Sequence, residues 1–147
     1  MALDLPPDFV VPLPPPHPAF RFEVLGPEHN ESDLAAWSAS IEHIHATQGF
    51  RADGWPERVY TLEENLADLV RHREHHERGE DFAWTVLDPA DGVTVVGCAY
   101  LKPDPTGEAD GTAHCWVRAD LAASDEPLRS HLRAWYAAAW PISVRWP

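Results

Sequence analysis

Two short apolar segments joined by a tight turn constrain the fold more than any other feature. Residues 82–87 (FAWTVL) and 93–101 (VTVVGCAYL) have the texture of β-strands. The sequence between them, D-P-A-D-G, is typical of a turn because proline presets φ and glycine accepts a positive φ. The two segments are therefore predicted to pair as an antiparallel hairpin.

Three further strands are predicted outside the hairpin. Residues 20–25 (FRFEVL) alternate apolar and polar side chains and end at Gly26-Pro27, which indicates a half-buried strand. Residues 113–118 (AHCWVR) form a third strand in series with the hairpin, and residues 142–146 (ISVRW) a last short one. Residues 102–111, with two prolines and two glycines, are predicted to form a loop.

Helical periodicity fills the remaining segments. One helix is predicted between the caps Asn30 and Ser32 and Gly49, a second from the capping box of Thr61 and Glu64 to Gly79, and a third over about 127–139. The apolar stripe of the first helix consists of Leu34, Trp37, Ile41 and Ile44.

The chain divides into a proline-rich arm, residues 1–18, and one domain, residues 19–147. Seven prolines make the arm extended, and its apolar residues indicate that part of it packs on the domain. The alternative is a ligand for a partner module that binds proline-rich segments. A length of 147 residues fits a single domain.

Charge and composition exclude several classes of protein. Eleven Lys and Arg against 24 Asp and Glu give a net charge of −13, which disfavours nucleic-acid binding and attracts cations such as amines. The bland alternative is that acidity only maintains solubility. The N-terminus lacks signal-peptide features, no segment predicts a membrane span, and two cysteines make no disulfide scaffold. A cytoplasmic location is expected.

The order of these elements resembles the GNAT acyltransferase superfamily over roughly residues 20–146. The resemblance rests on the early helix DLAAWSASIEHI, the strand VVGCAYL and the strand HCWV. It implies an α/β fold, with a mixed, mainly antiparallel sheet flanked by helices on both faces. The fourth and fifth strands would be residues 113–118 and 142–146. The exposed edge of a fifth strand would suit a homodimer.

The resemblance also implies an activity, the transfer of an acetyl group from acetyl-CoA to a small amine. In this family the fourth and fifth strands splay apart around the donor, and the fourth strand's backbone holds the pantetheine and polarises the thioester. A general base deprotonates the amine. The donor-binding residues implied here are Cys115, Trp116, Val117, Arg118 and Ser124.

One departure from the family favours a different function. The loop after the fourth strand lacks the usual glycines that cradle the pyrophosphate, and Asp120, Asp125 and Glu126 place carboxylates there. The family's elements after the fifth strand also have no counterpart in the sequence. Arg118 could bind phosphate or simply pair with Asp120. The alternative function is a catalytically inactive GNAT-like module that binds a small molecule or a protein partner.

Candidate catalytic residues follow from the same layout. Glu42 and His45 share one face of the first helix and are predicted to provide a base, and Tyr136 is the candidate acid. A polar helix flank is the alternative for the first two. Trp37, Trp55 and Tyr100 are predicted to contact substrate, against the alternative that the tryptophans belong to the core.

Two other groups of side chains are given structural interpretations. His72 and His76 could share a metal across one helical turn, together with His75, but three nearby arginines favour a solvated helix end and no metal. Cys98 and Cys115 are interpreted as buried hydrophobic residues. His114 and Cys115 are neighbours on a strand and must face opposite sides of the sheet.

Overall fold

The computed structural model describes residues 2–147 and contains one five-stranded sheet of order β1-β2-β3-β4-β5. The first three strand pairs are antiparallel, and β4 and β5 are parallel. The mixed, mainly antiparallel sheet predicted from the sequence is confirmed. The strands are β1 Arg21–Val24, β2 Phe82–Leu87, β3 Val95–Pro103, β4 Gly111–Val117 and β5 Val144–Arg145.

Within the described residues, four α-helices flank the sheet. Helices α1 and α3 lie against one face, and α4 packs on the other. Short 3-10 turns precede α1 at Pro27–His29 and α4 at Ala119–Ser124. The helices are α1 Asn30–Ser38, α2 Ile41–Ala46, α3 Leu62–Glu77 and α4 Asp125–Ala139.

The prediction of one continuous helix from residue 30 to residue 49 is wrong, because the chain breaks between α1 and α2. The Ser38 hydroxyl donates to the Leu34 carbonyl, and the Ser40 hydroxyl donates to the Ala36 carbonyl at 2.9 Å. Serine hydroxyls that bond to the preceding turn compete with the helical backbone. Ser40 also accepts from the Ala119 amide at 2.9 Å, so the break joins this segment to the end of β4.

The boundaries of the other elements follow local side-chain chemistry. Thr61 and Glu64 form the predicted capping box of α3, with bonds of 3.1 and 3.0 Å to each other's amides. Gly79, at φ 71°, follows the end of α3. The hairpin of β2 and β3 is confirmed, but β3 begins two residues late because Asp91 accepts from the amides of Val93 and Thr94. Helix α4 begins at Asp125, two residues before the predicted Pro127.

Alternation along β4 divides its side chains between the two faces. Ala113, Cys115 and Val117 belong to the core under α4, whereas Trp116 lies in the core under α1 and α3. His114 faces the same side as Trp116. The prediction that His114 and Cys115 face opposite sides of the sheet is therefore confirmed. Burial raises the pKa of the Cys115 thiol to about 12, as expected of a packing residue.

The proline-rich arm packs on the α4 side of the sheet. Leu3 is buried in that core, and the Phe9 ring lies 5.1 Å from the Trp140 ring. The His131 imidazole of α4 lies 2.6 Å from the Pro15 carbonyl oxygen. Within residues 2–147, no helix is both long enough and apolar enough to cross a membrane.

Strand β5 is paired only with the first two residues of β4, Gly111 and Thr112. An ion pair from Arg145 to Asp104, at 3.1 Å, fixes β5 to the loop between β3 and β4. Asp110 adds a bond to the Ser143 amide at 2.8 Å. Beyond Thr112, no strand among residues 2–147 is paired with the outer edge of β4.

Candidate acceptor cavity

A cavity of about 470 Å³ opens between the sheet and the layer formed by α1 and α3. It lies where β2 begins, β3 ends and β4 begins, and the loop between α2 and α3 forms one side of it. Its volume is in the range of small-molecule sites. The ring-bearing side chains that line it are Trp37, Phe50, Trp55, Tyr60, His72, Phe82, Tyr100 and His114.

Aromatic contacts build one wall from a helix and the loop over it. The Trp37 ring of α1 lies 5.3 Å from Trp55 and 5.0 Å from Tyr60, the latter at 81°. The Trp37 indole N–H donates to the Asn65 side-chain oxygen of α3 at 3.1 Å, which fixes the orientation of the ring. Edge-to-face pairs of this kind stabilise an aromatic cluster beyond their buried area.

The opposite wall comes from the sheet. Because Tyr100 of β3 is paired with His114 of β4, their rings stack at 4.7 Å. Phe50 meets the His114 ring edge-on at 4.9 Å. Gly49 adopts φ 92°, and a Cβ there would lie 2.7 Å from the Cβ of His114. The loop can approach β4 this closely only because residue 49 has no side chain.

Burial changes the acid–base behaviour of His114. Loss of solvent, with a smaller repulsion from the nearby Lys102 ammonium, lowers the pKa of its imidazole to about 3. The ring is therefore neutral at physiological pH. Lys102 is the only lysine in the chain, and it lines the cavity without an ion pair to any residue in 2–147.

Asp33 of α1 brings a carboxylate to the cavity although the residue is only 4% exposed. The Asn65 amide donates to it at 3.1 Å. Burial, with a smaller repulsion from Asp68, raises the pKa of Asp33 to about 6. Asn65 thus holds both Trp37 and Asp33 in place, and each of them lines the cavity.

The interpretation of His72 and His76 as a solvated helix end is wrong. His72 lines the cavity with its ring 6.0 Å from Tyr100, and burial lowers its pKa. His76 packs edge-on against Phe82 at 5.0 Å. The polar half of α3 lies partly against the start of β2, which its sequence pattern does not indicate. No group of three or more His, Cys, Asp or Glu in residues 2–147 is placed to hold a metal.

The residues predicted from the sequence lie in four places. Trp37, Trp55 and Tyr100 all line the cavity, and their role as substrate contacts stays a prediction. Glu42 is exposed, and His45 lies 3.3 Å from the Gly54 carbonyl oxygen outside the cavity lining. The candidate catalytic residues are therefore not brought together.

Tyr136 lies on the opposite face of the sheet from Glu42 and His45. The residue is 1% exposed within the aromatic core under α4, and its hydroxyl donates to the Tyr100 carbonyl at 3.3 Å. Burial raises its pKa well above that of a free tyrosine. A buried phenol of this kind is a poor source of protons for a reacting group.

The predicted donor-binding residues lie along β4 and after it. Cys115, Trp116 and Val117 are buried, and Ser124 directly precedes α4. Arg118 forms a two-bond pair with Asp120, at 2.9 and 2.8 Å, which is the alternative that the sequence left open. At the start of α4, the Asp125 carboxylate lies 2.9 Å from the His43 ring.

Asp33, Tyr60, Phe50 and His114 are cavity residues that the sequence argument missed. His114 could have been found from the strand pattern, since alternation places it on the same face as Trp116. Asp33 lies four residues before Trp37, one helical turn away, which puts both on the same side of α1. Phe50 and Tyr60 carry no periodic signal because they lie in a loop.

Comparison with known proteins decides the fold. No family model and no curated protein matches the sequence. The solved structure of RimL, a ribosomal L7/L12 α-N-protein acetyltransferase in complex with coenzyme A, superposes with a TM-score of 0.63 at 14% identity, covering 86% of this chain and 68% of that one. The chain has the GNAT fold.

Two other GNAT structures extend the comparison. An acetyltransferase from Salmonella typhimurium that modifies the N-terminal serine of L7/L12 gives a TM-score of 0.62 at 11% identity, covering 86% of this chain and 68% of that one. The microcin C7 self-immunity acetyltransferase MccE, solved with acetyl-CoA and AMP, gives 0.57 at 8% identity, covering 82% and 65%. At these identities the likeness establishes the GNAT fold alone.

Proposed function

We propose that the protein is a GNAT-type N-acetyltransferase that transfers the acetyl group of acetyl-CoA to a small amine bound in the cavity. The observation that carries the proposal is the position of β4. This strand contributes His114 to the cavity on one face, and its outer edge beyond Thr112 has no paired strand within residues 2–147. Donor and acceptor would therefore meet across a single strand.

The unpaired edge supplies the groups that a thioester needs. Backbone amides and carbonyls of residues 113–117 would hold the pantetheine and polarise the thioester carbonyl. The amine nitrogen then bonds to the carbonyl carbon, and the carbon–sulfur bond breaks. The amine gives up one proton, and the CoA thiolate takes up one to leave as the thiol.

His114 and Lys102 suit the acceptor side of this reaction. A neutral imidazole can accept a hydrogen bond from an amine N–H and orient the nitrogen lone pair toward the donor. The Lys102 charge, which already lowers the pKa of His114, would lower the pKa of a nearby amine in the same way. Both effects favour the neutral, nucleophilic form of the acceptor.

The contacts of Arg118 favour a second candidate function, a module that binds a small molecule in the cavity without transferring an acetyl group. The guanidinium of Arg118 is occupied by Asp120, and three carboxylates lie near the start of α4, where a pyrophosphate would bind. Donor binding requires Arg118 to exchange the Asp120 carboxylate for phosphate, which is the other planar partner that a guanidinium binds well.

A thermal-shift titration with acetyl-CoA separates the two candidates. A ligand at a hundred times its dissociation constant stabilises the folded state by about 2.7 kcal/mol. We expect such a shift for the acetyltransferase, and we expect Arg118→Ala to reduce it. The matched control Arg78→Ala, which removes an exposed arginine at the end of α3, should leave it unchanged. Absence of any shift at millimolar acetyl-CoA would leave only the binding module.

A further inference from the structure

We infer that the cavity binds a compact organic cation, with its charged nitrogen beside the Asp33 carboxylate and its apolar body against the aromatic wall of Trp37, Trp55 and Tyr60. This inference deepens the proposed function, on which it rests for the ligand's role as acetyl acceptor. The binding itself involves only the cavity. It can be measured without acetyl-CoA.

The charge of the Asp33 carboxylate is not balanced by a cation in the described part of the chain. Asp33 is 4% exposed, lines the cavity, and accepts a hydrogen bond from the neutral Asn65 amide, with no ion pair to any residue in 2–147. A carboxylate removed from water without a cation is unfavourable. An ammonium group in the cavity would supply the missing charge.

The cations already around the cavity are engaged elsewhere or lie apart from Asp33. Arg71 is paired with Asp68, and Arg51 is paired with Asp53 at 2.9 Å. His29, in the turn before α1 and outside the cavity lining, has its ring 2.9 Å from the Glu23 carboxylate. Lys102 acts on His114, at the β4 side of the cavity. None of these side chains forms an ion pair with Asp33.

The aromatic wall of the cavity also favours a cation. The Trp37 ring lies 5.3 Å from Trp55 at 54° and 5.0 Å from Tyr60 at 81°, and all three rings line the cavity. Aromatic faces attract cations, and tryptophan does so most strongly. The same faces bury the hydrocarbon part of an amine. A wall of this kind beside a carboxylate favours an ammonium ion over a neutral or anionic molecule of equal size.

The site would also discriminate between substrate and product. An amine that enters as the ammonium ion carries the charge that Asp33 lacks. It releases one proton to solvent before its neutral nitrogen attacks the thioester. Once acetylated, the nitrogen is a neutral amide and that attraction is lost. The carboxylate would thus favour entry of the acceptor and departure of the product.

The test uses 2-phenylethylammonium as the probe, with the full chain at about pH 8, where Asp33 is ionised. Binding is followed by isothermal titration calorimetry in the absence of acetyl-CoA. The neutral 2-phenylethanol and the anionic 3-phenylpropanoate have the same ring and similar size. We expect saturable binding of the ammonium probe and at least about tenfold weaker binding of the other two, a difference of about 1.4 kcal/mol.

Three variants test whether Asp33 and Trp55 cause the preference for the ammonium probe. Asp33→Asn should bring the affinities for 2-phenylethylammonium and 2-phenylethanol to within about twofold of each other. Glu31→Gln, which removes an exposed carboxylate from the same helix, should leave the preference intact. Trp55→Leu should weaken binding of both molecules and leave the ratio between them unchanged, which provides an independent check if Asp33→Asn folds poorly.

The outcomes are distinct from those for acetyl transfer. Equal binding of the ammonium ion and the alcohol, or no binding of the ammonium ion at millimolar concentration, would overturn the inference even if acetyl-CoA binds. Cation binding without any acetyl-CoA binding would support the inference and rule out the proposed acetyltransferase activity.

Discussion

The imidazole of His114 stacks on the phenol ring of Tyr100, with ring centroids 4.7 Å apart and planes 17° from parallel. The pair joins two adjacent strands at the floor of the cavity, and one of them is the strand whose outer edge would hold acetyl-CoA. Stacking fixes the ring, and no hydrogen bond to its nitrogens is formed by residues 2–147. Those nitrogens are therefore available to a ligand.

Replacing His114 should impair acetyl transfer more than folding. His114→Gln keeps a polar group but loses the oriented ring nitrogen, so kcat/KM should fall about 10- to 100-fold, as expected for one hydrogen bond to the reacting amine. The measurement is CoA release with any amine that the protein accepts. His45→Gln is the matched control, because His45 lies outside the cavity lining. Equal losses in the two variants would show that His114 has no specific role in orienting the amine.

Asp33→Asn should stabilise the free protein at neutral pH. The pKa of Asp33 is raised from 3.8 to about 6 by burial, so the folded state binds the proton more tightly than the unfolded state does. This tighter proton binding stabilises the folded state. The stabilisation is complete below pH 3.8 and is lost as the pH rises to about 6. Above that pH the ionised carboxylate lowers the free energy of unfolding by roughly 2 to 3 kcal/mol, which the amide avoids.

Urea denaturation of wild type and Asp33→Asn at about pH 4 and pH 8 measures this effect. The variant should gain stability at the higher pH and little at the lower. The groups that face the carboxylate are Asn65 and Asp68 of α3, His29 before α1, Trp37 of α1, and Cys98 and Tyr100 of β3. Loss of stability at both pH values would contradict a penalty from the buried charge of Asp33.

Cation binding should strengthen as the pH rises through about 6, because the ligand needs the ionised form of Asp33. The affinity of 2-phenylethylammonium measured by calorimetry should therefore increase up to about pH 7 and then level off while the amine stays protonated. In Asp33→Asn this dependence should disappear. An affinity that is flat between pH 5 and 8 in the wild type would place the cation against another group.

Local patterns in the sequence determine a large part of this fold. The hairpin of β2 and β3 follows from its turn, and the start of α3 follows from Thr61 and Glu64, because these signals involve residues close in the chain. The break after Ser38 could not be predicted in the same way. It depends partly on Ser40 accepting a bond from Ala119, a residue 79 positions later.

The cavity is harder to predict because residues far apart in sequence build it. Size and position in the sequence predict Trp37, Trp55 and Tyr100 as substrate contacts, and all three line one cavity. The burial of Asp33, however, depends on α3 packing over α1, and the exposure of His114 to the cavity depends on the register of β3 with β4. Neither packing nor register is encoded in a short window.

The attachment of β5 to the rest of the domain should depend on Asp104. Its carboxylate accepts two bonds from Arg145 and others from Thr106 and the Ala109 amide, and these contacts hold its pKa far below the ordinary value. A lowered pKa contributes stability that is present above pH 3.8 and is lost as the pH falls further. Asp104→Asn should lower the melting temperature at neutral pH and speed amide hydrogen exchange near Arg145. Unchanged exchange would show that Asp110 and Ser143 suffice.

Gly49 should be the most sensitive point of the loop that closes the cavity. Gly49→Ala faces two penalties, a positive φ of 92° and a Cβ placed 2.7 Å from the Cβ of His114. Gly107→Ala is the matched control, because Gly107 has φ 73° with no atom within 4 Å of the added Cβ. The control should lose about 1 kcal/mol for the left-handed backbone alone. The larger loss expected for Gly49→Ala measures the contact with His114, and the displaced loop should also weaken binding of 2-phenylethylammonium. If both variants lose equal stability in urea denaturation and both keep their affinity for the probe, the loop does not need its close approach to β4.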